Sequence, residues 1–181
     1  MDSASYLDYI LNKLSATHDI VRHYIPEGQS DIEQAGPFPA YASYSSTSEK
    51  YVLTRKANLW TAKEYEHILF LTAAESLNEE VLFTKAQTLI SDFMEPVFVR
   101  KEEKYPPKDH MRTFLTIVLV LDSAPSRELI HRIRKYRFDK GYLFSIRGYA
   151  QGRIIAVDLS GNKVYGGPAA RDVAAFFKPM I

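Results

Sequence analysis

The chain has 181 residues, a net charge of +1, and 46% hydrophobic against 25% charged residues. That is enough length for one core that removes roughly 70% of the extended chain's surface from water, and the balance excludes a disordered tail, a fibrous repeat and a protein that holds nucleic acid by bulk charge. There is no cysteine, which excludes disulfides, thiolate metal sites and thiol nucleophiles together.

In chain order, Met1-Asp2-Ser3-Ala4-Ser5 carries no basic segment of a signal peptide. Ser5 is the expected cap of a first helix, with Asp8 three residues on, and Tyr6, Leu7, Ile10, Leu11 and Leu14 fall on one helical face. Asp19 to Ile25 reads as a short strand closed by Pro26-Glu27-Gly28, and residues 26–37, with no apolar period, read as a loop. Three extended runs are expected next, at Phe38 to Thr47, Lys50 to Thr61 and Glu64 to Ala73. In the second, Tyr51, Leu53, Ala57 and Leu59 alternate with Lys50, Thr54, Lys56 and Asn58, a pattern of one covered and one wetter sheet face.

Ser76-Leu77-Asn78-Glu79 has the form of a capping box and opens a helix whose stripe is Leu82, Ala86, Leu89, Ile90 and Phe93, with Pro96 expected to end it. A charged connection, Lys101 to Asp109, leads to the apolar run Phe114 to Leu121. Asp122 and Ser123 are expected to cap the amphipathic helix that follows, and two strands joined at Gly148 to Gly152 come after it. Asp158 and Ser160-Gly161-Asn162 read as a turn, and Gly166-Gly167-Pro168 starts a last short helix anchored by Val173, Phe176 and Phe177. The fold expected is α+β, in a single globular domain over 1–181. Its sheet is mostly antiparallel with helices packed on one face, in the order helix, four strands, helix, strand, helix, two or three strands, helix.

Two constellations are candidates for chemistry. From Arg127 to Arg147 there are seven Arg or Lys against Glu128 and Asp139, a local +5, so the rest of the chain carries −4. At helical spacing Leu129, Ile130, Ile133 and Tyr136 point one way and Arg127, His131, Arg134 and Lys135 the other. Arg127, Arg132, Arg134, Lys135, Arg137 and Lys140 are therefore candidates for a surface that tracks the phosphates of nucleic acid or another polyanion. The plain alternative is the solvated face of an amphipathic helix.

The second constellation is Glu64 and Glu66, two apart on one expected strand and so on one face, with Lys56 on a neighbouring strand and His67 nearby. Two carboxylates and a lysine at a sheet edge are the raw parts of a magnesium-dependent phosphodiesterase site. A solvent-facing charged strand accounts for them equally. His67 itself shares a face with Leu69 and Leu71, where a hydrogen-bonded, partly buried imidazole is expected rather than a metal ligand. No histidine pair has the spacing of a metalloprotease helix, and no phosphate loop, nucleophile elbow or dinucleotide fingerprint is present.

The element order over residues 1–121 resembles the core of the restriction-endonuclease-like nucleases. That resemblance implies a divalent metal held by an Asp and a Glu-x-Lys strand. The chain departs from it: no Asp occurs between Asp31 and Asp92, and Glu64 and Glu66 are followed two residues on by Glu66 and Ile68. Separately, Tyr6-Leu7 through Leu14, Glu49 to Leu53 with Lys56-Ala57 and Trp60, Glu66-His67 with Phe70, His110-Met111 through Val120, and Val157-Asp158-Leu159-Ser160 together resemble a family of uncharacterised bacterial and archaeal proteins. This resemblance implies a prokaryotic, cytoplasmic protein and carries over no site residues. The sequence assigns no reaction; the reading is a non-catalytic binding or interaction module, a polyanion or nucleic acid being the partner the basic helix would suit, with a divalent-metal-dependent nuclease-like enzyme of degenerate motif as the alternative. No cofactor, metal or membrane partner is expected, and a homo-oligomer is compatible with the pattern.

Overall fold

The computed structural model describes residues 1–26, 37–50, 60–73 and 78–179. Helix α1 (Ser3–Leu14) is capped one turn earlier than expected: Asp2, not Ser5, sits at the N-cap and accepts the Ser5 N–H at 2.8 Å. Its apolar stripe, Tyr6, Ile10, Leu11 and Leu14, is buried. Strands β1 (Asp19–Tyr24), β2 (Phe38–Lys50) and β3 (Trp60–Thr72) form an antiparallel meander. The first and last of the three runs expected between Phe38 and Ala73 pair with each other, in register from Ala40 opposite Phe70 to Lys50 opposite Trp60. Residues 51–59, which hold Lys56 and most of the second expected run, lie outside the described residues. Three strands rather than four precede the next helix among the described residues.

Helix α2 (Glu79–Thr88) is capped by Asn78, whose side chain accepts the Glu80 N–H at 2.9 Å. Ser76 and Leu77 of the expected capping box are outside the described residues. Pro96 does not end the helix. The chain continues from α2 into a π-helical segment, Leu89–Val99, with Pro96 inside it. Strand β4 (His110–Leu121) follows, then α3 (Arg127–Lys135), β5 (Phe138–Gly141), β6 (Tyr149–Asp158), β7 (Lys163–Gly166) and two 3₁₀ turns, Pro168–Ala170 and Ala174–Phe177. The cap of α3 is Ser126, which accepts the Leu129 N–H at 3.1 Å. Asp122 instead accepts the N–H and hydroxyl of Ser3, at 3.0 and 2.7 Å, and so anchors the start of α1. The turn between β5 and β6 spans residues 142–148. Gly152 lies within β6 rather than in the turn: a Cβ there would come within 2.8 Å of both Ile90 and Phe138. Asp158 is a turn residue as expected, accepting from the Ser160 hydroxyl at 2.8 Å and the Gly161 N–H at 2.7 Å.

All seven strands join one sheet in the order β1-β2-β3-β4-β6-β5, with β7 also on β6. Four pairings are antiparallel and two, β3 with β4 and β4 with β6, are parallel. The fold is α+β with a mostly antiparallel sheet, but its helices do not keep to one face. On one side α2, the π-helical segment and α3 cover Leu69, Leu71, Leu115, Ile117, Leu119 and Ile154. On the other, α1 and the final 3₁₀ turns cover Ile68, Phe70, Val118, Val120, Ile155 and Val157. The reason is in β4: a strand flanked by parallel neighbours is buried on both faces, and its continuous run of Ile, Val and Leu follows from that. Among the described residues no helix is long and apolar enough to cross a membrane.

Candidate functional site

Alternation along β3 sends Glu64, Glu66, Ile68 and Phe70 to the side of α1, and Tyr65, His67, Leu69 and Leu71 to the side of α2. The α1 side is apolar only over half its length. Nearer the start of β4 it is polar and partly buried, and there the two expected carboxylates lie on one side of β3. Each is met by an arginine. Glu64 accepts from Arg112 Nη2 at 2.6 Å, and Glu66 from Arg153 Nη1 at 3.2 Å, with His18 Nε2 3.6 Å from its other oxygen. Both guanidiniums also lie over Phe114, Arg153 at 3.6 Å and Arg112 at 4.9 Å from the ring centroid.

Charge and burial decide what these groups can do. Arg153 is only 7% exposed, inside the otherwise apolar Ile154 to Val157 strand. Burial lowers its pKa, opposed by the adjacent Glu66 carboxylate. The hydrogen bond to Glu64 raises that of Arg112. A guanidinium stays cationic at neutral pH, and each of the two carboxylates is paired with one. Neither is free to ligate a divalent ion or to abstract a proton without releasing its partner. Among the described residues no three His, Asp or Glu side chains are grouped for a metal. Lys56 lies outside the described residues.

His67 is not part of this group. It is on the opposite face, stacked on Phe98 with centroids 4.6 Å apart, and its Nδ1 is 2.6 Å from the Tyr41 hydroxyl. Burial pushes its pKa down to about 4 and that of Tyr41 up to about 12. This is a neutral, packed imidazole.

The basic candidates of α3 and of the residues just after it, Arg137 and Lys140, divide into two sets. Arg132 lies over the Phe83 ring at 4.6 Å and 3.8 Å from Glu80. Arg137 donates to the Tyr136 carbonyl at 2.9 Å, satisfying the end of the helix. Lys140 is drawn inward to the buried Glu95, at 3.0 Å. Arg127, Arg134 and Lys135 are exposed and have no ion-pair partner among the described residues. Between α2 and α3 runs a groove of about 380 Å³ lined by Phe83, Gln87, His131, Arg132, Lys135, Tyr136 and Arg137.

Two groups escaped the sequence reading. Arg153 could have been singled out, since a charge beside the apolar run Ile154 to Val157 requires a buried partner, whereas Arg112, in the polar start of β4 and about a third exposed, carries no such mark. Glu95 is 1% exposed and accepts from the Tyr142 hydroxyl at 2.7 Å and Arg100 Nε at 2.8 Å, besides Lys140. It followed a helix expected to stop at Pro96, and nothing local marked it as interior.

No curated protein and no solved structure matches the chain. The model of the family described as Domain of unknown function (DUF8052) matches residues 2–179, and the chain belongs to that family.

Proposed function

We propose that the protein is a binding module that engages a polyanion, nucleic acid being the natural candidate, through the outer surface of α3. The observation that supports this is the set of exposed cations without acidic partners among the described residues, Arg127, Arg134 and Lys135, the last on the rim of the α2–α3 groove. Arg132 and Arg137 lie in the same groove and offer further N–H donors. Lys140 drops out of the proposed surface because Glu95 holds it. A cytoplasmic, prokaryotic setting belongs to the same proposal, resting on the cysteine-free composition and the family resemblance.

Three phosphate contacts on duplex DNA give a salt dependence of log K with slope of about −3. Fluorescence anisotropy with a labelled duplex across a salt series measures it. The triple variant R127E/R134E/K135E is expected to lose most of the binding and to flatten the slope. Binding that ignores salt, or that survives the triple charge reversal, would remove α3 as the contact.

The competing reading is a nuclease-like enzyme built on Glu64 and Glu66, which do share one side of β3. Against it stand Arg112 and Arg153, which already neutralise both carboxylates. A rise in Tm with Mn²⁺ that disappears in E64Q/E66Q would transfer the argument to the enzyme.

A further inference from the structure

We propose that the end of the molecule formed by the 142–148 turn and the Arg100–Lys108 loop is a docking surface for an anionic lipid membrane. This surface is separate from α3 and does not rest on the polyanion reading.

The turn joining β5 to β6 holds three successive non-glycine residues in the left-handed region, Leu143, Phe144 and Ser145, with φ of 48°, 54° and 67°. Each costs roughly 1–2 kcal/mol relative to an ordinary conformation. The conformation is fixed by Tyr142 N–H to the Gly148 carbonyl, Arg147 N–H to Tyr142, Ile146 N–H to Leu143 and Gly148 N–H to Ser145, all at 3.0–3.1 Å. Gly148, at φ 74°, closes the turn against the Met111 backbone so tightly that a Cβ would lie 2.1 Å from the Met111 carbonyl oxygen. What this strain achieves is exposure. Phe144 is 102% and Ile146 78% exposed.

Large apolar side chains held in water by a strained, well-bonded turn contribute nothing to the fold, and backbone strain of this kind concentrates at functional sites. They are not isolated. Tyr105, Met111, Leu143, Phe144, Ile146 and Tyr149 make six of the eleven exposed large hydrophobics among the described residues, and all six belong to this turn, the adjoining loop or the first residues of β4 and β6.

Cations line the loop side of the apolar tip. A groove of about 420 Å³ beside it is lined by Arg100, Lys101, Lys104, Lys108 and Arg147, with Glu103 the one acid in its wall. Arg147 ties loop to turn by donating to the Pro106 carbonyl at 3.0 Å, while its own carbonyl lies 2.8 Å from His110 Nδ1. The loop itself carries Glu102 and Glu103 beside its lysines; of the other nearby acids, Asp109 is held by Lys63 at 2.6 Å, and Glu95 by Arg100 and Lys140. Lys101, Lys104 and Lys108 have no ion-pair partner among the described residues.

An exposed aromatic and aliphatic pair next to a groove lined by lysines and arginines fits the boundary of an anionic bilayer. The tip reaches the acyl region, worth roughly 1.5–3 kcal/mol per buried side chain, and each nearby Lys or Arg adds about 1 kcal/mol from the lipid surface charge. Two such weak signals together make a stable contact where one does not. The shortness of the chain's apolar runs speaks only to spanning, and a surface contact needs no span.

The test is co-flotation of the full chain with vesicles of phosphatidylcholine alone and with roughly one-third phosphatidylserine. Binding is expected to the anionic vesicles only, weakened at least about tenfold both by F144S/I146S and by K101E/K104E/K108E. These side chains are exposed, so folding is expected to persist, checked by circular dichroism. R127E/R134E/K135E is expected to bind vesicles like the wild type, which keeps this result separate from the fate of the polyanion reading. Absence of flotation at low salt, or flotation unchanged by F144S/I146S, would overturn the proposal. So would a lipid-independent self-association abolished by F144S/I146S, which would make the tip a contact between copies of the chain.

Discussion

The Arg153 guanidinium lies over the Phe114 ring, its central carbon 3.6 Å from the centroid, while reaching Glu66 with Nη1 at 3.2 Å. One nearly buried side chain thus joins β6 to β4 by ring contact and to β3 by charge, across the two parallel pairings of the sheet. Removing only one member of such a pair strands the other charge in a poorly hydrated place. R153M is expected to cost about 3 kcal/mol or more in urea unfolding, and R153M/E66L to recover a good part of that loss. Additive losses in the double variant would show that the pairing is not what holds Arg153 in the strand.

Glu95 tests the opposite side of the sheet. Burial pushes its pKa up, but the Tyr142 hydroxyl, Arg100 and Lys140 together outweigh this and leave the carboxyl below its ordinary value of 4.5. A carboxyl with a depressed folded-state pKa stabilises the fold above its unfolded pKa, and that contribution is lost as pH falls through the folded value. E95Q is expected to lose roughly 1.5–3 kcal/mol at neutral pH, the worth of hydrogen bonds to a charged group. It is also expected to show a shallower loss of stability on acidification below about pH 4.5. An acid limb identical to that of the wild type would assign the pH dependence to other carboxylates.

What could be read from the sequence follows from which interactions are local. The stripe of α1, the apolar run of β4, the Asp158 turn and the amphipathic pattern of α3 are all set within a few residues, and the structure keeps them. Caps moved where neighbours competed: Asp122, read as a cap for α3, is taken by Ser3, 119 positions away in sequence. Burial on both sheet faces is written in the apolar run of β4 and repeated at Ile68 to Leu71 of β3 and Ile154 to Val157 of β6, while the first half of β3 carries polar and charged residues instead. The Glu64–Glu66 pair was legible as a shared face, since strand alternation is local. Its neutralisation was not, because Arg112 and Arg153 arrive from strands whose order in the sheet no short pattern encodes. Glu95 was hidden by a π-helical segment that accommodates a proline where an α-helix would stop.

His67 predicts a second pH dependence, of a different kind. Its imidazole is neutral in the fold with a pKa pushed down to about 4 by burial, against 6.5 for an exposed ring. Between these values the unfolded chain binds a proton that the folded chain does not, so stability falls as pH drops from 6.5 towards 4 and levels off below. The effect is at most roughly 3 kcal/mol. In H67F this part of the profile is expected to flatten. NMR titration of the ring is the direct check, and a midpoint above pH 6 would mean that the imidazole is not enclosed by Tyr41 and Phe98.

Gly152 places a steric limit where β6 passes beneath the π-helical segment. With a Cβ, the residue would approach Ile90 Cγ2 and Phe138 Cβ to 2.8 Å each. The Ile90 methyl is a branch of a β-branched side chain with one preferred rotamer in a helix, and the Phe138 Cβ is fixed to the backbone, so neither moves at low cost. G152A is expected to destabilise by about 1–3 kcal/mol through overpacking, and I90A to relieve part of that loss despite its own cavity. The double variant therefore separates a clash from a simple change in strand propensity, because alanine favours a strand over glycine and would otherwise stabilise. Equal or higher stability for G152A in urea would mean that the π-helical segment is not packed this closely on β6.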